Sequence, residues 1–122
     1  MPNTNLAPAL SSALDQRALR TVPGGVHSST RRTNPPIVFS RASGSRLWDV
    51  DGREYVDYHA AFGPIVLGHC DPEVDKAAAD AASKVDLVGL GTTELEIKAA
   101  ELISAYVPSA EKGLFCNSGL AT

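Results

Sequence analysis

A chain of 122 residues is enough for one domain or part of one. With 43% apolar and 20% charged residues the composition is that of an ordinary soluble globular chain. A formal net charge of −3 leaves no basic footprint for nucleic acid, and no run approaches the roughly 18 consecutive apolar residues of a membrane span.

The N-terminus has no basic stretch leading into an apolar one, so it does not read as a secretory signal. Cys70 and Cys116 make no disulfide framework and read as reduced thiols of a cytoplasmic protein. Residues 1–5 are polar and loose. From Leu6 to Arg20 the sequence predicts a helix, with Pro8 in the first turn and Leu10, Ala13, Leu14 and Arg17 at helical spacing. Val22-Pro23-Gly24-Gly25 ends it, and by spacing alone reads as a linker. The polar loop 26–36 carries Arg31-Arg32, either a solvated surface or, since a guanidinium fork matches a planar anion, a carboxylate or phosphate site.

Ile37-Val38-Phe39 reads as a short strand feeding a hairpin. The hairpin's signal is an apolar run to Val50, the dipeptide Asp51-Gly52, and Glu54-Tyr55-Val56-Asp57-Tyr58. Asp-Gly favours a two-residue type I′ turn. Such a turn sets Trp48 against Tyr55, a good aromatic pair, but also Asp49 against Glu54, an unfavourable one, so the register stays open. Residues 60–70 are small, apolar and rich in turn formers; Gly63-Pro64 is a turn, Gly68 permits a bend, and Phe62 taken alone belongs to a core.

Asp71-Pro72 opens a helix as N-cap and first-turn proline. Its stripe of Val74, Ala77, Ala78, Ala81 and Val85 implies close packing against a neighbour. Thr93-x-x-Glu96 is a capping box, followed by Leu95, Ala99, Leu102, Ile103 and Tyr106 on one face and stopped at Pro108. Leu114-Phe115-Cys116 reads as a short buried strand and Asn117-Ser118-Gly119 as the turn leaving it. A strand with no evident partner marks the chain as a fragment.

Several chemistries lack their spacing. A hydrolase elbow at Ser118 wants glycines where Cys116 and Leu120 stand. A calcium loop from Asp49 would place Glu54 where glycine is required. His27, His59, His69, Cys70 and Cys116 show no recognised metal-ligand spacing.

Taken together, Gly44-x-x-Leu47-Trp48-Asp49-Val50-Asp51-Gly52-x-x-Tyr55-Val56-Asp57, Phe62-Gly63-Pro64 and Leu67-Gly68-His69 resemble the N-terminal segment of class III pyridoxal-phosphate aminotransferases, most closely the glutamate-1-semialdehyde aminomutase branch. Val22-Pro23-Gly24-Gly25-Val26-x-Ser28 is similar to that branch's entry loop, with His27 in place of asparagine. The resemblance covers about residues 21–122. It implies an α/β chain, the N-terminal part of a fold-type I pyridoxal-phosphate transferase. Its expected segments are a helix and substrate-side loop over 1–36, a hairpin and pocket loop over 37–70, and the start of the large cofactor domain over 71–122.

It further implies a homodimer acting on a small amino acid substrate, by amino transfer or a 1,2 amino shift. Arg31 would hold the substrate carboxylate with Ser28 nearby, and Phe62, in the place of a tryptophan, would wall the pocket. Ser118 and Gly119 would cradle the phosphate of pyridoxal phosphate at a strand-to-helix turn; the sequence departs from the family loop at Leu120. The cofactor is an electron sink held by a lysine. Lys76, Lys84, Lys98 and Lys112 all stand outside that lysine's context, so this chain alone is expected to be inactive. The rival expectation is a non-catalytic remnant that serves as a binding partner or subunit.

Overall fold

The computed structural model describes residues 9–116, which fall into two compact units that divide between Ala78 and Ala79. Helix α1 spans Ala9–Ala18, inside the expected range; Leu19–Thr21 form a turn that leads into Pro23–Gly25. Its inward face is not the expected one. Leu10 and Ala13 are exposed, while Ser11 and Asp15 are buried. The reason is electrostatic. The Asp51 carboxylate accepts the backbone N–H groups of Leu10 and Ser11 (3.0 and 3.1 Å) and the Ser11 hydroxyl (2.6 Å). A hairpin residue thus supplies the anion that the free amides of a helix N-terminus favour. On the next turn, Asp15 pairs with Arg32.

Three antiparallel strands follow in the order β1-β2-β3: β1 Phe39–Ser43, β2 Arg46–Asp49 and β3 Glu54–Val56. The first strand starts at Phe39 and does not include Ile37 or Val38; it carries an irregularity between Phe39 and Arg41. The hairpin is as expected in place but not in turn type. Trp48 pairs with Glu54 and Leu47 with Tyr55, so the loop is Val50-Asp51-Gly52, three residues with Gly52 left-handed (φ +82°).

This register resolves the charge conflict. Asp49 turns inward and accepts from the Asp51 and Arg53 amides (3.0 and 2.8 Å) and the Tyr55 hydroxyl (2.7 Å). Glu54 instead accepts from the Trp48 indole (3.1 Å) and Arg46 (2.9 Å), while Arg41 stacks 3.6 Å over the Trp48 ring. On the opposite face Phe39 meets Tyr55 edge-on, centroids 5.6 Å apart. Asp49 is thereby a buried carboxylate whose oxygens are all occupied, which is the condition for burying one at all.

Helix α2, Pro72–Ala82, begins as expected: Asp71 caps the Glu73 and Val74 amides, both at 3.0 Å. Its alanine stripe is exposed or half-exposed. Helix α3, Glu94–Tyr106, carries the complete capping box, Glu96 N–H to Thr93 Oγ1 (3.2 Å) and Thr93 N–H to Glu96 Oε2 (2.6 Å). Glu94 and Lys98 pair at 2.7 Å.

Leu114–Cys116 departs from expectation. These residues are exposed coil, because among the described residues no strand pairs with them. Indeed no apolar side chain among the described residues is buried; the buried ones are Ser11, Asp15 and Asp49. No described helix is long and apolar enough to cross a membrane.

Candidate functional site

The expected substrate residues fall on two loops of the unit that ends at Ala78. The first loop follows α1. Val22-Pro23-Gly24-Gly25 turns sharply, the Gly25 N–H donating to Val22 O (2.9 Å), and Ser29–Arg31 then form a single 3-10 turn. That turn brings Ser28 and Arg31 together: the Arg31 N–H donates to Ser28 O (3.0 Å), and Ser28 Oγ lies 2.8 Å from Thr30 Oγ1.

The two arginines diverge. Arg32 forks onto the Asp15 carboxylate, with a second bond from Nη2 to Oδ2 of 3.1 Å, and Nη1 also donates to Gly24 O (3.2 Å). Its guanidinium is committed to joining loop and helix. The Arg31 guanidinium has no ion pair or side-chain hydrogen bond among the described residues and is exposed. A planar guanidinium fork left unpaired in this way can take a carboxylate in two parallel bonds.

The second loop runs from Asp57 to His69. Phe62 is not in a core; it is 67% exposed. Ala60, Ala61 and Phe62 all have positive φ (47°, 51° and 67°), one turn of left-handed backbone in residues that carry a Cβ. Such a conformation costs on the order of 1–2 kcal/mol per residue, so it persists only where surroundings impose it. Here Asp57 Oδ1 accepts the His59 and Ala60 amides (2.8 and 3.1 Å), and His59 Nδ1 accepts the Phe62 amide (3.1 Å). The rings of His59 and Phe62 meet edge-on at 4.1 Å.

Asp57 Oδ2 lies 2.7 Å from His69 Nε2, with the two side chains 8% and 19% exposed. The bond from His69, then the His59 amide, holds the Asp57 carboxyl below the ordinary carboxylate range despite its burial. No hydrogen bond or ring contact links Phe62 to Ser28 or Arg31 among the described residues.

The sequence reading missed Asp57, His59 and His69. One signal was available: Asp57 two residues before His59 is the spacing at which an aspartate accepts a backbone amide in an Asx turn. The pairing with His69, twelve residues on, had no local signal. Two open clefts of about 450 and 440 Å³ lie along α1 and the first loop, the second lined by Leu19, Pro23, Gly24, Val26, Ser29 and Arg32. Neither is lined by Ser28, Arg31 or Phe62.

Ser118 and Gly119 lie outside the described residues. As for the cofactor lysine, all four lysines are exposed, and Glu94 pushes the Lys98 ammonium above its ordinary pKa through a hydrogen bond and its charge. A lysine that holds a carbonyl cofactor needs the opposite environment, one that favours the free amine. With all four lysines at exposed positions, the described residues do not fit pyridoxal phosphate as a covalently held group.

Residues 27–122 match the family model described as aminotransferase class-III. The chain belongs to that family. It is 44% identical over 113 residues to the glutamate-1-semialdehyde 2,1-aminomutase of Thermodesulfovibrio yellowstonii, a match that covers 89% of this chain and 26% of that protein. Among solved structures, the β-phenylalanine aminotransferase of Variovorax paradoxus superposes with a TM-score of 0.86 at 32% identity, over 94% of this chain and 27% of that one. The FumI protein of Sphingopyxis sp. MTA144, solved with pyridoxal phosphate, gives a TM-score of 0.75 at 37% identity, over 89% and 27%. The helix, small antiparallel sheet and following helices are thus the fold of these aminotransferases, as expected, and the class-III chain spans about a quarter of the length of the relatives it matches.

Proposed function

We propose that this class-III chain is the N-terminal, substrate-side portion of a pyridoxal-phosphate-dependent aminotransferase or aminomutase that acts on an amino acid or amino-aldehyde. The observation that carries the reading is the division of labour at Arg31-Arg32. Arg32 is used up by Asp15, whereas Arg31, in the turn that follows Ser28, is exposed and has no ion pair among the described residues.

Arg31 takes the substrate carboxylate, Ser28 contacts the same ligand, and Phe62 forms a wall against the substrate's carbon skeleton. Ser118 and Gly119 contribute to holding the cofactor phosphate, with the lysine supplied from outside residues 1–122. Residues 1–36 and 37–70 form the substrate side, and 71–122 the start of the large cofactor domain. The full protein works as a cytoplasmic homodimer without nucleic acid or membrane partners, and residues 1–122 by themselves are inactive. Amino transfer belongs to this reading because the matching family is that of the class-III aminotransferases and a β-phenylalanine aminotransferase is among the structures it resembles.

The test is the intact mass of the natively expressed polypeptide, followed by an amino-transfer assay with pyridoxal phosphate. We expect a mass well above 12.8 kDa, and transfer that Arg31→Ala weakens through KM. A native mass of 12.8 kDa with no transfer would instead support the non-catalytic remnant.

A further inference from the structure

The segment 57–69 leaves the sheet and returns to it at one place. The Asp57 N–H donates to Ser45 O (2.9 Å), and His69 exchanges two backbone hydrogen bonds with Gly44 (2.9 and 2.8 Å). Both ends are therefore held by neighbouring residues of the β1–β2 turn. Gly68 makes the approach possible: a Cβ there would lie 2.9 Å from Gly44 Cα, and its φ is +88°. Across this neck the Asp57 carboxylate meets the His69 imidazole, while its other oxygen holds the amides that open the left-handed turn. His59, placed by that bond, holds Phe62 by amide and ring. The chain of bonds from His69 through Asp57 and His59 to Phe62 is continuous.

We propose that Asp57 and His69 are positioning residues for Phe62: their clasp closes the loop and imposes the left-handed turn at 60–62 that turns the Phe62 ring outward, and this sets which amino substrate side chains are accepted. The proposal rests on the reading of Phe62 as a wall of the substrate pocket. Its physical basis is that three successive left-handed residues with side chains are costly, so the turn's own backbone bonds (Phe62 N–H to His59 O, 3.1 Å; Gly63 N–H to Ala60 O, 2.9 Å) need the side-chain bonds beside them. The side-chain bonds to the backbone of this turn come from Asp57 and His59, and Asp57 is tied in turn to His69. Neither Asp57 nor His69 needs to touch the substrate.

Two variants separate positioning from bulk stability. Asp57→Asn keeps an oxygen for the His59 and Ala60 amides but removes the carboxylate from His69, and His69→Gln keeps a donor in place of the imidazole. In the natural full-length protein, hydrogen exchange in a peptide covering 58–66 should quicken at least tenfold in Asp57→Asn. A peptide covering 46–56 should keep its rate, and His69→Gln should fall between. In the amino-transfer assay, the preference between an aromatic and a small aliphatic amino donor should shift at least fivefold, through KM more than kcat. In a Phe62→Leu background, Asp57→Asn should shift it no further.

Unchanged exchange at 58–66 would overturn the proposal. So would a rise of equal size in the hairpin, or shifts in preference that multiply between Asp57→Asn and Phe62→Leu. If the unsubstituted protein transfers no amino group, the pocket reading fails and the selectivity role fails with it. The exchange data would then show separately whether the clasp holds the turn.

Discussion

Two adjacent arginines, identical in chemistry, have opposite fates because of what faces them. Asp15 is nearly buried (9% exposed), so a partner for its charge is required, and Arg32 supplies it. Arg32→Ala should lower stability by about 1–2 kcal/mol, less than the roughly 1.5–3 kcal/mol of a hydrogen bond to a charged group because the guanidinium itself is 40% exposed. Arg31→Ala should change stability by no more than about 0.5 kcal/mol while raising KM for carboxylate substrates. Paired thermal melts and kinetics on the two variants check both statements, and the reverse pattern would exchange the roles.

Three aspartates carry a pH dependence at the same scale. Asp51 is held below its ordinary pKa first by the Ser11 hydroxyl, and Asp57 first by His69. For Asp49, burial pushes the pKa up, but the Tyr55 hydroxyl and the Arg53 and Asp51 amides together outweigh it and the net shift is down. In each case the native carboxyl titrates below the unfolded value of about 3.9, so its contribution is complete above that pH and is lost as pH falls through the native value. The melting temperature of the natural protein should hold from about pH 7 to 5 and fall below about pH 4. Asp51→Asn should give a shallower acid slope, measured by a melting series in matched salt.

Elements were legible where local chemistry decides them. The start of α2 at Asp71-Pro72 and the capping box of α3 depend on residues within one turn, and both stand as read. Thr93→Ala should cost about 1 kcal/mol and fray α3 at its start, visible as faster exchange at Glu96 and Ile97. The hairpin's register was not legible from its turn dipeptide, because the choice depends on where Asp49 finds donors, and these include Tyr55 across the strand pair. The inward face of α1 was misread for the same kind of reason. Its partner, Asp51, lies 40 residues away from Ser11, and no helical periodicity encodes that distance.

The loop 57–69 combines both cases. The Gly63-Pro64 turn and the Gly68 bend could be read, while the neck at Gly44 and the left-handed turn could not. Gly68→Ala should be among the most damaging single substitutions here. Its φ of +88° alone costs about 1–2 kcal/mol for a residue with a Cβ, and the 2.9 Å approach to Gly44 adds to that. An alanine variant with an unchanged melting temperature would mean that the neck does not form.

At the scale of the whole molecule, what the described residues bury is polar. Asp49, Asp15 and Ser11 are enclosed, while Leu87, Leu90, Leu95, Tyr106 and Leu114 are exposed. Apolar patterning in α2 and α3 was legible as pattern, but a pattern names only the face to be covered and says nothing of what covers it. That is also why Leu114-Phe115-Cys116, apolar enough for a buried strand, is coil here: a strand needs a partner, and none of the described residues pairs with it. Apolar burial is the main term that offsets chain entropy. The 122-residue polypeptide produced by itself should therefore bind an apolar-surface dye and self-associate at micromolar concentration. Its calorimetric unfolding enthalpy should fall well short of the roughly 0.7 kcal/mol per residue of a cooperative domain. A sharp transition with the full enthalpy, independent of concentration, would show that the polar network of Asp49, Asp51, Asp15 and Arg32 suffices to hold a fold. It would also make this class-III segment an autonomous unit.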